Sequence, residues 1–248
     1  METNSLVKPL WSKVFKNSIF LMIALYILLG VLRVAGLYAP PQTVVLVLLG
    51  FLSMWFLPVI FLSKEGRRQI GLRKPNDVKW TFIGIISAIT AAFLIFIVGY
   101  ALFGKSPDNW LISVKNTYLH GTDTSKMPVF VLFVIYTIPA VIFSPIGEEF
   151  FFRGMIQEVF ARRWGVWVGA IVNSFLFALA HLFHHGLQIT QNGVQLRLVS
   201  GSIWFILIFL SGLMLTPFRY KTDSLIPGII SHAVFNLVMN FTIFYFLM

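Results

Sequence analysis

Two adjacent carboxylates and an arginine interrupt one of the most apolar stretches of the chain. Glu148 and Glu149 follow the apolar run 135–143, and three consecutive phenylalanines separate them from Arg153. An ionisable side chain at membrane depth is costly, so its presence there indicates a functional site. A buried carboxylate can act as a general base, and this stretch therefore predicts acid–base chemistry.

Two histidines and an asparagine could complete such a site. His181 follows Phe177 by four residues, and Asn236 follows His232 by four, so each pair shares one helix face. Imidazole and amide N–H groups can stabilise the oxyanion that forms when an activated water attacks an amide. The same side chains can also bind zinc. A zinc site made of Glu148, His181 and His232 therefore stays open beside a metal-free mechanism.

The two acids are not equivalent in a helix. Glu149 and Arg153 are four residues apart and share a face, so they can form an ion pair. Glu148 is rotated from Glu149 by about 100°. We therefore assign Glu148 to the chemistry, and Glu149 with Arg153 to its support.

Three further polar residues occupy the same region without a clear role. Asn173 is predicted to be interhelical, and His184 and His185 are predicted to lie at the membrane edge, where water can solvate them. The closeness of these two histidines to His181 nevertheless keeps a metal role open.

The composition predicts the elements that hold these residues. The chain of 248 residues is 58% hydrophobic and only 11% charged, whereas soluble domains are about 25% charged. Cysteine is absent, which excludes disulfides and a cysteine nucleophile. We predict an all-α, polytopic transmembrane helix bundle. Its seven predicted spans are residues 17–38, 43–63, 80–103, 128–161, 165–184, 197–216 and 225–247.

The fourth and fifth predicted spans bring the first two motifs together. The segment 162–165, Arg-Arg-Trp-Gly, is the predicted turn between them; Glu148 lies sixteen residues before Trp164, and His181 lies sixteen residues after Gly165. An antiparallel hairpin therefore places both side chains at one depth. The fourth span is long and contains Pro139 and Pro145. If it were two segments, the chain would have eight spans.

The net charge of +10 is explained by the loops of a membrane protein rather than by binding of nucleic acid. Most lysines and arginines outside the spans fall on one side, above all in the linker 64–79, which places the N-terminus in the cytoplasm. Arg33 is counted among the few bases of the other side. The segment 105–126 is predicted to be a polar loop.

Three motifs resemble the signatures of the CPBP intramembrane proteases, which include the type II CAAX-prenyl proteases and the bacteriocin-processing or self-immunity proteins called Abi. The resemblance covers residues 128–248 and implies a four-helix catalytic core there, after an N-terminal region of membrane helices and loops, 1–127. The motifs are Glu148-Glu149-x-x-x-Arg153, Phe177-x-x-x-His181 and His232-x-x-x-Asn236.

The resemblance also implies roles for the motif residues. Glu148 would activate water with the help of His181, and His232 and Asn236 would form the oxyanion site. A metal-independent glutamate mechanism is favoured, without a cofactor, and a zinc version remains as the alternative. The remaining motif residues would support the helices around the site: Glu149, Arg153 and Phe177.

The function expected is that of an intramembrane endopeptidase in a bacterial plasma membrane. Its substrate would be a membrane-anchored peptide or protein, such as a pheromone or a bacteriocin leader. Two alternatives belong to other classes. One is a non-catalytic immunity or scaffold protein of the same fold, and the other is an ion or metal transporter, although no internal repeat supports transport.

Overall fold

The computed structural model describes residues 6–38, 45–119, 124, 127–190 and 193–248. In these residues the chain forms eleven α-helices, one π-helical segment and one β-hairpin. The elements are α1 (Pro9–Val14), α2 (Ser18–Tyr38), α3 (Val45–Phe61), α4 (Lys64–Gln69), α5 (Lys79–Phe103), α6 (Trp110–Leu119), α7 (Val129–Glu148), the π-helix (Glu149–Ile156), α8 (Gln157–Trp164), α9 (Val166–His181), β1 (Leu187–Thr190), β2 (Gly193–Leu196), α10 (Leu198–Thr222) and α11 (Ile226–Phe246).

Five helical runs of the described chain are long and apolar enough to cross a membrane: α2, α5, α7 to α8, α10 and α11. The apolar helices α3 and α9 are shorter. Helices thus occupy all seven predicted spans, and the prediction of a polytopic all-α membrane protein is confirmed.

The fourth predicted span is one continuous run of 36 residues, Val129–Trp164, despite its two internal prolines. At about 1.5 Å per residue it is longer than the hydrocarbon core of a bilayer, which is about 30 Å thick. It therefore has to tilt or to project from the membrane. The middle of the run is the π-helix, which starts at Glu149. Single π-helical turns inside α-helices frequently occur at functional sites.

The prediction of a polar loop over 105–126 is wrong for its central part. The helix α6 lies there and buries Trp110, which stacks on Trp204 of α10 with ring centroids 6.1 Å apart. The residues from Trp110 to Val114 are buried although polar residues flank them. A short buried stretch between polar flanks is averaged away in a hydropathy profile of membrane-span length. Residues 120–123, 125 and 126 of the predicted loop lie outside the described chain.

Close helix packing surrounds the site region. The central helix α11 packs mainly against α5 and α7, and α10 packs mainly against α9. A methyl group at Gly84 of α5 would lie 2.0 Å from the Ser231 hydroxyl of α11, so only glycine permits this approach. The predicted turn over 162–165 is confined to Gly165 at φ 92°, because residues 162–164 are the end of α8.

Candidate active site

A cavity of about 390 Å³ lies among the helices, and its walls are mostly apolar. Helices from both halves of the chain contribute to it, including α2, α3, α7, α9, α10 and α11. Its charged, imidazole and amide side chains are Arg33, Glu148, His181, His184, His232, Asn236 and Asn240. The structure thus brings the predicted Glu148, His181, His232 and Asn236 to one cavity.

Glu148 is the carboxylate that faces this cavity. The side chain is buried, and its Oε1 accepts a hydrogen bond from the Arg33 guanidinium at 3.1 Å. Its Oε2 is buried without a hydrogen-bond partner and lies 3.6 Å from His232 Nε2. That separation is too long for a direct hydrogen bond and too short for a water to lie between the two atoms, so a shared water would sit beside them on the cavity side. One oxygen of the carboxylate is therefore held, and the other is available.

Glu149 points away from the cavity, into the protein. Its Oε1 accepts a hydrogen bond from His232 Nδ1 at 2.9 Å and lies 3.1 Å from an Arg153 guanidinium nitrogen. Arg153 is fully buried and lies over the Phe177 ring, 4.1 Å from its centroid. The spacing of four residues still pairs Glu149 with Arg153, although the segment is π-helical. The pair thereby orients one ring nitrogen of His232.

His181 is the last residue of α9, and its ring packs on Phe177 with centroids 4.3 Å apart. Its Nδ1 lies 2.7 Å from the Phe177 carbonyl oxygen, so Nδ1–H must donate because a carbonyl only accepts. Nε2 is then the nitrogen free for chemistry. The Trp204 indole donates to the His181 carbonyl at 3.0 Å and fixes the end of the helix.

His232 and Asn236 line the cavity from one face of α11. Because His232 Nδ1–H donates to Glu149, the neutral ring presents a lone pair at Nε2 on the Glu148 side. The Asn236 amide donates one hydrogen bond to the Ala140 carbonyl at 2.8 Å, and an amide nitrogen carries a second N–H. That N–H is a possible donor to a bound substrate.

Six ionisable side chains form a continuous series across the site. Adjacent members lie between 2.7 Å and 3.6 Å apart, and each carboxylate has an arginine on one side and His232 on the other. Each negative charge is therefore compensated locally in a buried environment, where an uncompensated charge would be costly. The order is Arg153, Glu149, His232, Glu148, Arg33, His184.

Three side chains of the cavity are not predicted from the sequence as members of the site: Arg33, His184 and Asn240. The charge count places Arg33 with the outer loops, although it lies inside the first predicted span, where an ionisable residue is itself a signal of a functional site. Asn240 follows Asn236 by one turn and donates to the Thr137 hydroxyl at 3.2 Å. The interhelical Glu148–Arg33 contact itself has no local signal in the sequence.

Two other polar residues lie outside the cavity. Asn173 donates to Gln157 Oε1 at 2.9 Å, which fits its predicted place between helices. His185 is not solvated, contrary to the prediction, because its ring lies between the hydroxyls of Ser113 at 2.8 Å and Ser200 at 2.9 Å. Burial, and then the Arg197 charge, lower the pKa of His185 to about 4. The structure gives this residue a packing role.

The zinc alternative stays a prediction, and the described residues bear on it in two ways. No three or more His, Cys, Asp or Glu side chains of the described residues are grouped so that they could hold a metal ion. Glu148 already contacts the Arg33 guanidinium, which would repel a second cation. His181 and His232 each donate through Nδ1 and leave Nε2 free, which is the usual arrangement of a metal-binding histidine.

The fold and the cavity together define a multi-pass helical membrane protein with a buried carboxylate–imidazole site. Residues 130–238 match the family model described as "Type II CAAX prenyl endopeptidase Rce1-like". The resemblance to the CPBP family is thus confirmed over this region, which supports a CAAX-type intramembrane protease at the level of the family.

Among curated proteins, the chain is 27% identical over 146 residues to an Escherichia coli protein described as an uncharacterized 24.3 kDa protein. The aligned part is 58% of this chain and spans 58% of the length of that relative. No solved structure matches the chain. Arg33 lies outside the residues that match the family model.

Proposed function

We propose that the protein is an intramembrane endopeptidase that hydrolyses a peptide bond with a water activated by Glu148. The observation that carries this proposal is the free oxygen of Glu148. Its Oε2 has no hydrogen-bond partner, faces His232 Nε2 at 3.6 Å and shares a cavity with His181 and Asn236. A water on the cavity side of Oε2 and Nε2 could donate to both atoms and would thus be oriented and close to a base.

The reaction then follows from the positions of these groups. Glu148 Oε2 takes a proton from the water, and the hydroxide adds to the substrate carbonyl carbon. The resulting oxyanion accepts a hydrogen bond from the second N–H of Asn236, while the neutral His232 ring, whose Nδ1–H is held by Glu149, accepts a hydrogen bond from the attacking water at Nε2. Glu148 returns its proton to the amide nitrogen as the C–N bond breaks. His181 Nε2 can accept the remaining proton of the new carboxylic acid.

The substrate we propose is a membrane-anchored peptide or protein, such as a pheromone or a bacteriocin leader. The mostly apolar cavity walls favour apolar side chains over charged ones. We further propose a bacterial plasma membrane, with the N-terminus in the cytoplasm. Because the chain contains no cysteine, Asp77→Cys would supply a single exposed thiol, which should react from the cytoplasmic side only. Labelling from the outside would contradict this orientation.

The proposal is tested by cleavage of candidate membrane-anchored peptides with purified protein. We expect wild type to cleave, and Glu148→Ala and His181→Ala each to be inactive while the protein still inserts and folds. Glu148→Ala that cleaves like wild type would refute the mechanism. If immunity or signalling in cells survived both substitutions, a non-catalytic function of the same fold would be the better explanation.

Chelation separates the two versions of the chemistry. With glutamate chemistry, purified protein that has been stripped by a strong chelator and contains no metal should keep full activity. Activity that is lost on chelation and restored by zinc would instead assign a metal to the site.

A further inference from the structure

We propose that Arg33 and His184 form a positioning pair for Glu148, a role that rests on the proposed function. The guanidinium binds Glu148 Oε1 at 3.1 Å through one nitrogen and His184 Nε2 at 2.7 Å through the other. By occupying Oε1, Arg33 orients the carboxylate so that Oε2 faces His232 and the cavity. Arg33 therefore determines which oxygen of Glu148 is left for the water.

The helix that carries Arg33 is fastened to the catalytic region on both sides of this residue. The Tyr26 hydroxyl donates to the Leu176 carbonyl of α9 at 3.0 Å. The Tyr38 hydroxyl donates to the Leu187 carbonyl of β1 at 2.9 Å and also contacts the Phe183 carbonyl. Hydrogen bonds from Tyr26 and Tyr38 thus fix the position of α2, which carries Arg33, relative to the C-terminal half.

His184 has a defined partner in this arrangement. A guanidinium has no acceptor, so His184 Nε2 must accept the hydrogen bond from Arg33 and its ring carries the proton on Nδ1. Nδ1 itself is buried without a partner. The imidazole therefore serves as an acceptor that holds the second guanidinium nitrogen and fixes the plane of the group.

The pair requires a guanidinium rather than any cation. Two nitrogens of one planar group reach Glu148 and His184 at once, whereas a lysine ammonium is a point charge on a flexible stem. Arg33→Lys would keep the charge but lose one of the two contacts. The orientation of Glu148, more than the positive charge itself, is the property that Arg33 supplies.

The test measures kcat and KM separately for Arg33→Ala, Arg33→Lys and the control Arg197→Ala. Arg197 also forms an ion pair, with Asp108 at 2.6 Å, but does not line the cavity. We expect Arg33→Ala to lower kcat by about 100-fold with little change in KM, because a misplaced base costs that much. Arg33→Lys should recover little of this, and Arg197→Ala should leave kcat unchanged.

Methylguanidine provides a readout that a merely structural role would not give. Added to Arg33→Ala, it should enter the vacated space and restore part of kcat in a saturable manner, with no effect on Arg197→Ala or wild type. His184→Gln, which keeps an acceptor, should retain more activity than His184→Leu. A rise in KM with unchanged kcat would assign Arg33 to substrate binding instead and overturn the proposal, as would the absence of rescue.

Glu148→Gln, assayed in parallel, distinguishes the two possible failures. If Glu148→Gln keeps full activity, the proposed function fails and the positioning role falls with it. If Glu148→Gln is inactive while Arg33→Ala keeps the wild-type kcat, the positioning role alone is refuted.

Discussion

Glu148 and Glu149 are neighbours in the chain, are equally buried and each lie 3.1 Å from one arginine, yet their surroundings differ. Glu149 and Arg153 lie within one segment and are sealed from the cavity. The partner of Glu148 comes from 115 residues away, and both members of that pair line the cavity. One ion pair is therefore local and enclosed, and the other joins two helices beside the space that a substrate would occupy.

This difference favours a supporting role for Glu149 and a chemical role for Glu148. Both oxygens of Glu149 are enclosed by protein, and its contacts are to Arg153 and His232. Oε2 of each acid is buried without a hydrogen-bond partner, but only Glu148 lines the cavity, so only its free oxygen can meet a water or a substrate. The roles of the two acids remain predictions, and each of the following experiments changes one side of the comparison.

The largest expected effect is the loss of activity in Glu148→Gln. Removal of a general base should lower kcat by about 10³-fold, since Gln keeps the shape of the side chain but cannot accept the proton of water. The midpoint of thermal unfolding in detergent should fall less than in Glu149→Gln, because Arg33 borders the cavity, where water can solvate it, whereas Arg153 is fully buried. Peptide cleavage and thermal unfolding, measured on one preparation, give both quantities.

Glu149→Gln should lower stability more than Glu148→Gln does. It leaves the fully buried Arg153 without a counter-charge, which should lower the free energy of unfolding by about 3 kcal/mol. Chemical unfolding in mixed micelles measures this loss. If Glu149→Gln unfolded like wild type while Glu148→Gln lost stability, the assigned roles would have to be exchanged.

The parts of the site that the sequence predicts are those that depend on local spacing. Glu149 with Arg153, Phe177 with His181, and His232 with Asn236 are each one helical turn apart, and hydropathy locates their helices. The turn at Gly165 then brings the first two motifs together. Periodicity and chain length suffice for these relations because each lies within one helix or one hairpin.

The unpredicted parts depend on contacts between distant segments. Arg33 reaches Glu148 only through the packing of α2 against the C-terminal half, and His184 gains its role only because Arg33 is there. The burial of His185 requires α6 and α10, which supply its two serine partners. No spacing rule within one helix contains this information.

His185, which belongs to neither ion pair, should make the stability of the protein depend on pH. The pKa of His185 is lowered to about 4, against an ordinary value of about 6.5, so its neutral form is the one that the fold favours. The contribution of His185 to the free energy of unfolding is fully present above the ordinary pKa and is lost as the pH falls towards 4. We expect a loss of at most about 2 kcal/mol between pH 7.5 and pH 5.

Thermal unfolding of wild type and His185→Gln measures this dependence. The variant should show a flatter profile over the same range, because it lacks the titrating ring. An equally steep profile would place the titration in other groups, and the glutamate variants would then need to be compared at several pH values. If His185→Gln shows a flat pH profile, a comparison of the Glu148 and Glu149 variants at pH 7.5 reports on the two ion pairs.

The smallest expected effect comes from Gly228→Ala, whose added methyl group makes a close steric contact with Glu149 and changes no charge. A methyl group at Gly228 would lie 3.1 Å from Glu149 Oε2, so the carboxylate has to move by a few tenths of an ångström. We expect a loss of about 1 kcal/mol in the free energy of unfolding, from overpacking. Since Glu149 orients His232, kcat should fall as well.

The matched control is Gly30→Ala in α2, where nothing lies within 4 Å of the added methyl group. This substitution should stabilise its helix slightly and leave kcat unchanged, since alanine favours the helix over glycine. If Gly228→Ala behaved in the same way, Glu149 would have room to move without disturbing His232. The enclosed pair would then tolerate displacement, and its support of His232 would rest on its charge rather than on its position.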